Sequence, residues 1–264
     1  MDQLIDKTYP SFSVYSSIDG MRYFLFDCNE VISDTVRQKG AWNQKISLLI
    51  NSILDVTPES GRVLEIGAGF GSIGLPLAKN NQHFVFELFE AQKTIFNQLC
   101  GNIMLNNLSN VNAHKVALHN YNGIVDAPVL NVEFSGNHGS LSLLKEFNDV
   151  RNLSFADNLE SMDCKTLDSF NFDDVKLLKI SVCGMEAMVL EGAKETLLNN
   201  NLPPVIVESW EAEFNQENRR KCFDIFKDLG YKKYIPMGEH VLFSSDMELS
   251  HIATNFVATV HHLI

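Results

Sequence analysis

The sequence predicts an α/β fold around a mainly parallel sheet, on three observations. Apolar runs of strand length alternate with segments of helical periodicity, the order that builds parallel sheets. A glycine-rich turn, Gly67 to Gly71, joins one such strand to the helix after it, and Glu90 ends the next strand.

Taken in order, Ile46, Leu49, Ile50 and Ile53 fall at helical spacing, and Thr57-Pro58-Glu59-Ser60-Gly61 breaks the pattern before a strand over Val63 to Ile66. After the turn, Ile73, Leu75 and Leu77 mark a helix, and Phe84 to Phe89 reads as a buried strand. Ile95, Phe96, Leu99, Cys100 and Ile103 define a helix that ends near Asn106-Asn107, with a third strand expected over Val111 to Leu118. Residues 121 to 162 lose this rhythm and read as a long excursion with short strands.

Regularity returns with a strand over Val175 to Ser181 and one helix over Met185 to Leu198, with Met188, Val189 and Leu197 inward. Val205 to Glu208 reads as a buried strand after Pro203-Pro204, and Asn215 to Leu229 as an amphipathic helix stopped by Gly230. In the tail, His240 to Phe243 and Phe256 to Val260 suit antiparallel edge strands. Residues 1–55 are expected to form an accessory cap, and 56–264 one compact unit.

The 264 residues carry 21 Lys and Arg against 33 Asp and Glu, a net charge of −12 without a basic cluster. Nucleic acid is therefore not an expected partner, because such affinity rests on cationic side chains displacing counterions. The N-terminus lacks a signal-peptide pattern and no apolar run approaches a membrane span, so a cytoplasmic protein with no membrane partner is expected. Five widely spaced cysteines read as reduced thiols, and the scattered histidines predict no metal site.

The segment Val63-Leu64-Glu65-Ile66-Gly67-Ala68-Gly69-Phe70-Gly71 lets the backbone turn sharply and approach a ligand closely. Amide groups at the following helix start would face an anionic part of that ligand. Glu90 is placed to accept hydrogen bonds from two ribose hydroxyls, the role of an acid about 20 residues after such a turn. Together these features describe an adenosine-type cofactor site. Gly69-Phe70-Gly71-Ser72-Ile73-Gly74 also satisfies a dinucleotide pattern, but two residues late relative to the strand, so an NAD-dependent oxidoreductase is the lesser alternative. Glu65 favours S-adenosylmethionine, whose ammonium and sulfonium end can use a carboxylate.

Further strings carry a resemblance. They are Phe89-Glu90-Ala91-Gln92, Leu99-Cys100-Gly101-Asn102, Gly136-Asn137-His138-Gly139-Ser140-Leu141, Thr166-Leu167-Asp168-Ser169, and Leu177 to Glu186 continued by Leu190-Glu191-Gly192-Ala193. In this order the chain resembles the FkbM-type S-adenosylmethionine-dependent methyltransferases, from about Gly40 to Ala258. The resemblance implies a class I methyltransferase, Rossmann-like sheet of seven strands, the last antiparallel, with helices on both faces. It also implies O-methylation of a hydroxyl on a small molecule or glycan, with Glu65, Gly67, Ala68, Gly69, Phe70, Gly71, Glu90, Ala91 and Ser181 about the cofactor.

One departure is pointed. Where that family usually reads Lys-Ile-Asp-Val-Glu-Gly, this chain has Ser181 and Cys183 in place of the two acids. A catalytically weakened cofactor-binding or scaffold homologue is therefore the alternative function. The candidate general bases are His138 in the excursion, Glu208 at a strand end, and Glu186 in a first helical turn, with His240 after them. An exposed loop position for His138, and helix-dipole stabilisation by Glu186, are the plain structural readings of those two. Cys183 reads either as a reactive thiol at a helix start or as a small packed residue. Trp42 reads either as a cover over the pocket or as ordinary helix packing.

Overall fold

The computed structural model describes residues 11–17, 20–28, 30–57, 59–130, 137–151, 159–245, 256 and 258–263. The N-terminal part holds a hairpin of β1 (Phe12–Ser16) and β2 (Arg22–Phe26), then α1 (Val31–Lys39) and α2 (Gln44–Leu54). Next come β3 (Arg62–Ile66), α3 (Gly74–Asn80), β4 (Val85–Phe89), α4 (Lys93–Leu105), β5 (Val111–His114) and β6 (Ala117–Leu118). The excursion contains β7 (Gly123–Pro128), α5 (Lys145–Val150) and β8 (Leu159–Lys165). The chain continues with β9 (Val175–Ile180), α6 (Glu186–Glu191), α7 (Lys194–Asn199), β10 (Val205–Glu208), α8 (Gln216–Leu229), β11 (Lys233–Pro236), β12 (His240–Ser244) and β13 (His261–His262).

The central sheet runs in the order β13-β11-β12-β10-β9-β3-β4-β5. From β10 to β5 every pair is parallel, and β12 lies antiparallel between β10 and β11. The order and directions are those the resemblance implies, with β12 as the antiparallel strand. The two-residue β13 adds an eighth strand beside β11.

Period-two alternation explains how helices come to cover both faces. Val63, Leu177, Ile206 and Leu242 join the core under α2, α3 and α4, whereas their sequence neighbours Leu64, Leu178, Val205 and Val241 join the core under α6, α7 and α8. The β1–β2 hairpin is fastened to α4 through polar side chains: Asn102 Oδ1 accepts from the Phe24 amide at 2.7 Å, and Gln98 Nε2 donates to the Phe24 carbonyl at 2.6 Å. Asn102 is completely buried, and its desolvation is offset by the Phe24 bond and by its Nδ2 donating to the Phe70 carbonyl at 2.9 Å.

Several expectations are corrected. Val111 to Leu118 is not one strand: β5 ends the central sheet, and β6 turns away to pair with β8 in a second sheet of order β6-β8-β7. The helix expected over Met185 to Leu198 is two helices, because Gly192 backs onto the excursion so closely that a Cβ there would lie 2.1 Å from the His119 carbonyl oxygen. Of the inward positions expected, Val189 and Leu197 are buried and Met188 is only half-buried, while Ala187 and Leu190 also face inward. His240–Ser244 is an internal strand buried along its whole length, not an edge. In the second tail segment, Phe256 and residues 258–260 are not in a strand, and the edge pairing falls on His261–His262, while Val257 lies outside the described residues. Gly136 of the sequence string lies outside them too. No helix among the described residues is long and apolar enough to cross a membrane.

Candidate active site

The C-terminal ends of the parallel strands open into a cavity of about 510 Å³, the place where open α/β sheets bind ligands. Its floor is the turn after β3. Gly67 has φ 77° and sits so close to the β9 end that a Cβ would lie 1.9 Å from the Ser181 carbonyl oxygen. Gly69 has φ 57°, yet nothing lies within 4 Å of where its Cβ would be, so it faces open space.

The amides of this turn are largely committed. Gly67 and Ala68 donate to the Phe89 carbonyl at 3.0 and 2.9 Å, and Gly71 donates to the Ala68 carbonyl at 3.0 Å. Gly69 donates to Glu90 Oε2 at 3.1 Å, while Gln92 donates to Glu90 Oε1 at 2.8 Å. The turn therefore fixes Glu90 through its own Gly69 amide. Glu90 is half-buried at the cavity wall, and burial pushes its carboxyl up to about 7 against the opposing pull of the Gln92, Gly69 and Ala91 amides.

Glu65, the register partner of Lys179, forms an ion pair with it at 3.1 Å, and both are nearly completely buried. Burial raises the Glu65 carboxyl despite the attraction of Lys179. The Gly74 amide lies toward this carboxylate and favours its charge, but no donor reaches hydrogen-bond geometry on Oε2. Ser181 Oγ is likewise buried without a partner among the described residues. Two buried polar atoms at one cavity edge mark a place for a polar ligand, because such atoms are costly to leave unpaired.

The far wall comes from the end of β10, the start of β12 and the excursion. Burial, reinforced by the charge of Glu186, pushes the half-buried Glu208 up to about 8, with Lys179 and Arg151 partly offsetting it. Its cross-strand partner His240 is held neutral, near a pKa of about 3, by burial and the Lys179 charge. Trp210 lies here with the Arg151 guanidinium 4.4 Å over its ring and Phe147 stacked at 5.9 Å. The N-terminal segment supplies a roof: Glu30 caps α1 by accepting from Ile32 and Ser33 amides at 3.0 and 2.6 Å, and Trp42 joins it over the cavity. Trp42 also packs against the core, so both readings of it hold.

A methyltransferase FkbM domain model matches residues 65–233. The chain belongs to the FkbM methyltransferase family. Among solved structures, this FkbM chain is similar to methyltransferase FkbM from Methylobacillus flagellatus KT, at 12% identity and a TM-score of 0.49 over 72% of this chain and 45% of that one. It spans less than half the length of that protein. It is also similar to precorrin-6y C5,15-methyltransferase from Geobacter metallireducens GS-15, at 11% identity and a TM-score of 0.44 over 76% of this chain and 86% of that one. A third similar structure is M. jannaschii TYW2 in complex with AdoMet, at 14% identity and a TM-score of 0.45 over 89% and 85% of the two chains. No curated protein sequence matches the chain.

In this FkbM chain, Glu65, Gly67, Ala68, Gly69, Phe70, Glu90, Ala91, Ser181, His138 and Glu208 all line the one cavity. Gly71 does not line it: it packs under the turn, where a Cβ would lie 2.4 Å from the Leu75 side chain. Glu186 also stays out, its oxygens accepting from the Val182 and Gly184 amides, both at 3.0 Å, and from Asn218 at 2.7 Å. Cys183, at φ 52°, is a packed residue whose thiol burial and the charges of Glu208 and Glu186 hold well above the ordinary range. That removes the reactive-thiol reading, since the thiolate is the nucleophile. Lys179, Arg151, Trp210 and Glu30 had no role assigned from sequence. For Lys179 a signal exists, a cation inside the apolar run Leu177 to Ile180; for the other three nothing in their neighbourhood marks them.

Proposed function

We propose that the chain is an S-adenosylmethionine-dependent methyltransferase that methylates a hydroxyl on a small molecule or glycan. The observation that carries this reading is Glu90, fixed by two backbone amides at the wall of the cavity above the glycine turn. Each carboxylate oxygen keeps a second lone pair after those bonds, enough to accept from two ribose hydroxyls. The residues present fit the cofactor on further counts. Gly69 leaves open space for close approach, Ala91 and Val116 to Leu118 give an apolar edge for an adenine ring, and Ser181 Oγ and Glu65 Oε2 offer unpaired polar atoms.

S-adenosylmethionine supplies an electrophilic methyl group. The chain's task is then alignment: an in-line displacement gains most from holding the acceptor oxygen against that carbon. Glu208 or His138, on the opposite wall, takes the proton that leaves the acceptor hydroxyl as the new bond forms. Residues 1–55 serve as a cap that excludes water over the unit formed by 56–264, a role supported by Glu30 and Trp42 at the cavity roof. The five cysteines are all free thiols, which supports a reducing, cytoplasmic setting.

Calorimetric titration tests the reading: S-adenosylmethionine and S-adenosylhomocysteine are expected to bind and NAD is not. Binding of NAD in their place, or of none of the three, would overturn it. The commitment of the turn amides, and the press of Glu65 against Gly74, speak against a pyrophosphate at this turn. A second reading, cofactor binding with weak turnover, is favoured by Cys183, whose protonated thiol cannot replace a carboxylate. Methyl transfer across a panel of hydroxylated acceptors, repeated with the Ser181→Asp, Cys183→Glu double variant, separates the two: strong wild-type turnover removes the second.

A further inference from the structure

The cavity is longer than the cofactor reading uses. Glu208 and the adjoining Trp210 lie at the end of β10, two strands from the glycine turn after β3 and three from Glu90 after β4. At the usual strand spacing that is about 10 to 14 Å. A cation stands at this far end. Arg151 follows α5, lines the cavity, and is half-buried with its guanidinium over the Trp210 ring at 4.4 Å.

Arg151 is held in place but not neutralised. Its Nη1 donates to the Ser140 carbonyl at 2.6 Å, its guanidinium also meets the Cys183 thiol, and among the described residues it forms no ion pair. A guanidinium carries five N–H donors in a fixed fork, so most of its capacity remains. The stacked Trp210 and Phe147 orient that fork without supplying an acceptor. The other charges in the cavity are accounted for. Lys179 is paired with Glu65, Glu90 is fixed by amides, and Glu30 caps α1. Glu239 is exposed at the rim, and Glu208, raised to about 8 by burial, forms no ion pair with Arg151.

We propose that Arg151 is the docking point for an oxyanion of the methyl acceptor, a carboxylate or a phosphate monoester carried on the same molecule as the hydroxyl. A planar fork matches either group through paired hydrogen bonds. The inference rests on the methyl-transfer reading for the identity of the ligand as acceptor. The anion site itself is measured apart from the donor site.

The chain has two tryptophans, and both line the cavity: Trp42 in the roof and Trp210 at the far wall. Their indole N–H signals in a ¹H–¹⁵N spectrum, assigned with Trp210→Phe, report on the two places separately. The probes are 4-hydroxybenzoate, phenyl phosphate and the uncharged 4-hydroxybenzamide, titrated into protein saturated with S-adenosylhomocysteine. Both anions, or one of them, are expected to shift the Trp210 signal with saturation, and which one does so names the source. Arg151→Gln is expected to weaken that binding by about tenfold or more while S-adenosylhomocysteine still binds. Equal shifts from the amide, no shift of Trp210 by either anion at millimolar concentration, or unchanged affinity in Arg151→Gln would overturn the proposal. The comparison of charged with uncharged probes in the wild-type protein needs no variant to fold. Loss of S-adenosylhomocysteine binding by the wild type would instead count against the methyl-transfer reading.

Discussion

Glu65 on β3 and Lys179 on β9 stand side by side in register, and their side chains meet at 3.1 Å with almost no exposure to solvent. Removing one partner leaves the other as a buried, uncompensated charge, which costs about 3 kcal/mol or more in comparable pairs. Lys179→Met is accordingly expected to lower the unfolding free energy by that order in urea at pH 7. The loss should shrink as pH falls, because Glu65, already raised by burial, then takes up a proton. The double variant Glu65→Gln, Lys179→Met should recover much of the loss. An equal cost for the single and double variants would contradict the pairing.

Glu90 gives a pH signature to cofactor binding. Burial pushes its carboxyl up to about 7, and on the proposed reading ribose hydroxyls donate to the charged form. Below pH 7 the ligand must first displace a proton, so affinity for S-adenosylhomocysteine should fall, approaching tenfold per pH unit. Above pH 7 it should level off. Glu90→Gln should bind at least about tenfold more weakly at pH 8 and lose the slope. Calorimetry from pH 5.5 to 8.5 checks both, and a slope retained in Glu90→Gln would assign it elsewhere.

Two glycines of one turn should respond oppositely to alanine. At Gly67 the added carbon meets the Ser181 carbonyl at 1.9 Å, so Gly67→Ala should destabilise the fold and lower Tm sharply. At Gly69 it meets nothing within 4 Å, and only the left-handed backbone is strained, at a cost of about 1 kcal/mol. Gly69→Ala should therefore fold and still lose affinity for S-adenosylhomocysteine. Thermal melts beside titrations distinguish the two.

Glu208 and Glu90 carry folded-state values near 8 and 7, both above that of an ordinary carboxyl. A raised value means the folded protein binds protons more tightly than the unfolded chain. The stability they add is thus present below about pH 4.5 and lost as pH rises through 7 and 8. Tm should decline from pH 5 to 9, and Glu208→Gln should flatten the upper part of that decline. In methyl-transfer assays Glu208→Gln should lower kcat by about 100-fold if it takes the hydroxyl proton, with KM for the donor unchanged.

The sequence was most legible where one periodicity governs a segment. The unit from β3 to β4, with Glu65, the turn and Glu90, follows from apolar runs and glycines alone, because both faces of those strands are buried. Legibility failed where long-range contacts decide. The break between α6 and α7 depends on Gly192 meeting His119, more than seventy residues away in the chain. The interior place of β12 depends on β11 passing beyond it, which no local pattern records. At the site, Lys179 was visible as a charge in a buried run, but its partnership with Glu65 depends on a register between two parallel strands. Arg151 and Trp210 meet only after the excursion folds back.

The insertion of β12 between β10 and β11 also orders events along a growing chain. The side of the cavity read as the donor site is complete in sequence by Ser181, whereas the opposite wall needs Glu239 and His240. Until β12 arrives, β10 has an open edge with Val205, Ile206 and Val207 along it, a template for pairing with another chain. A chain cut after Gly230 would keep the glycine turn and Glu90 yet present that edge to its neighbours, making intermolecular association the expected fate of such a fragment.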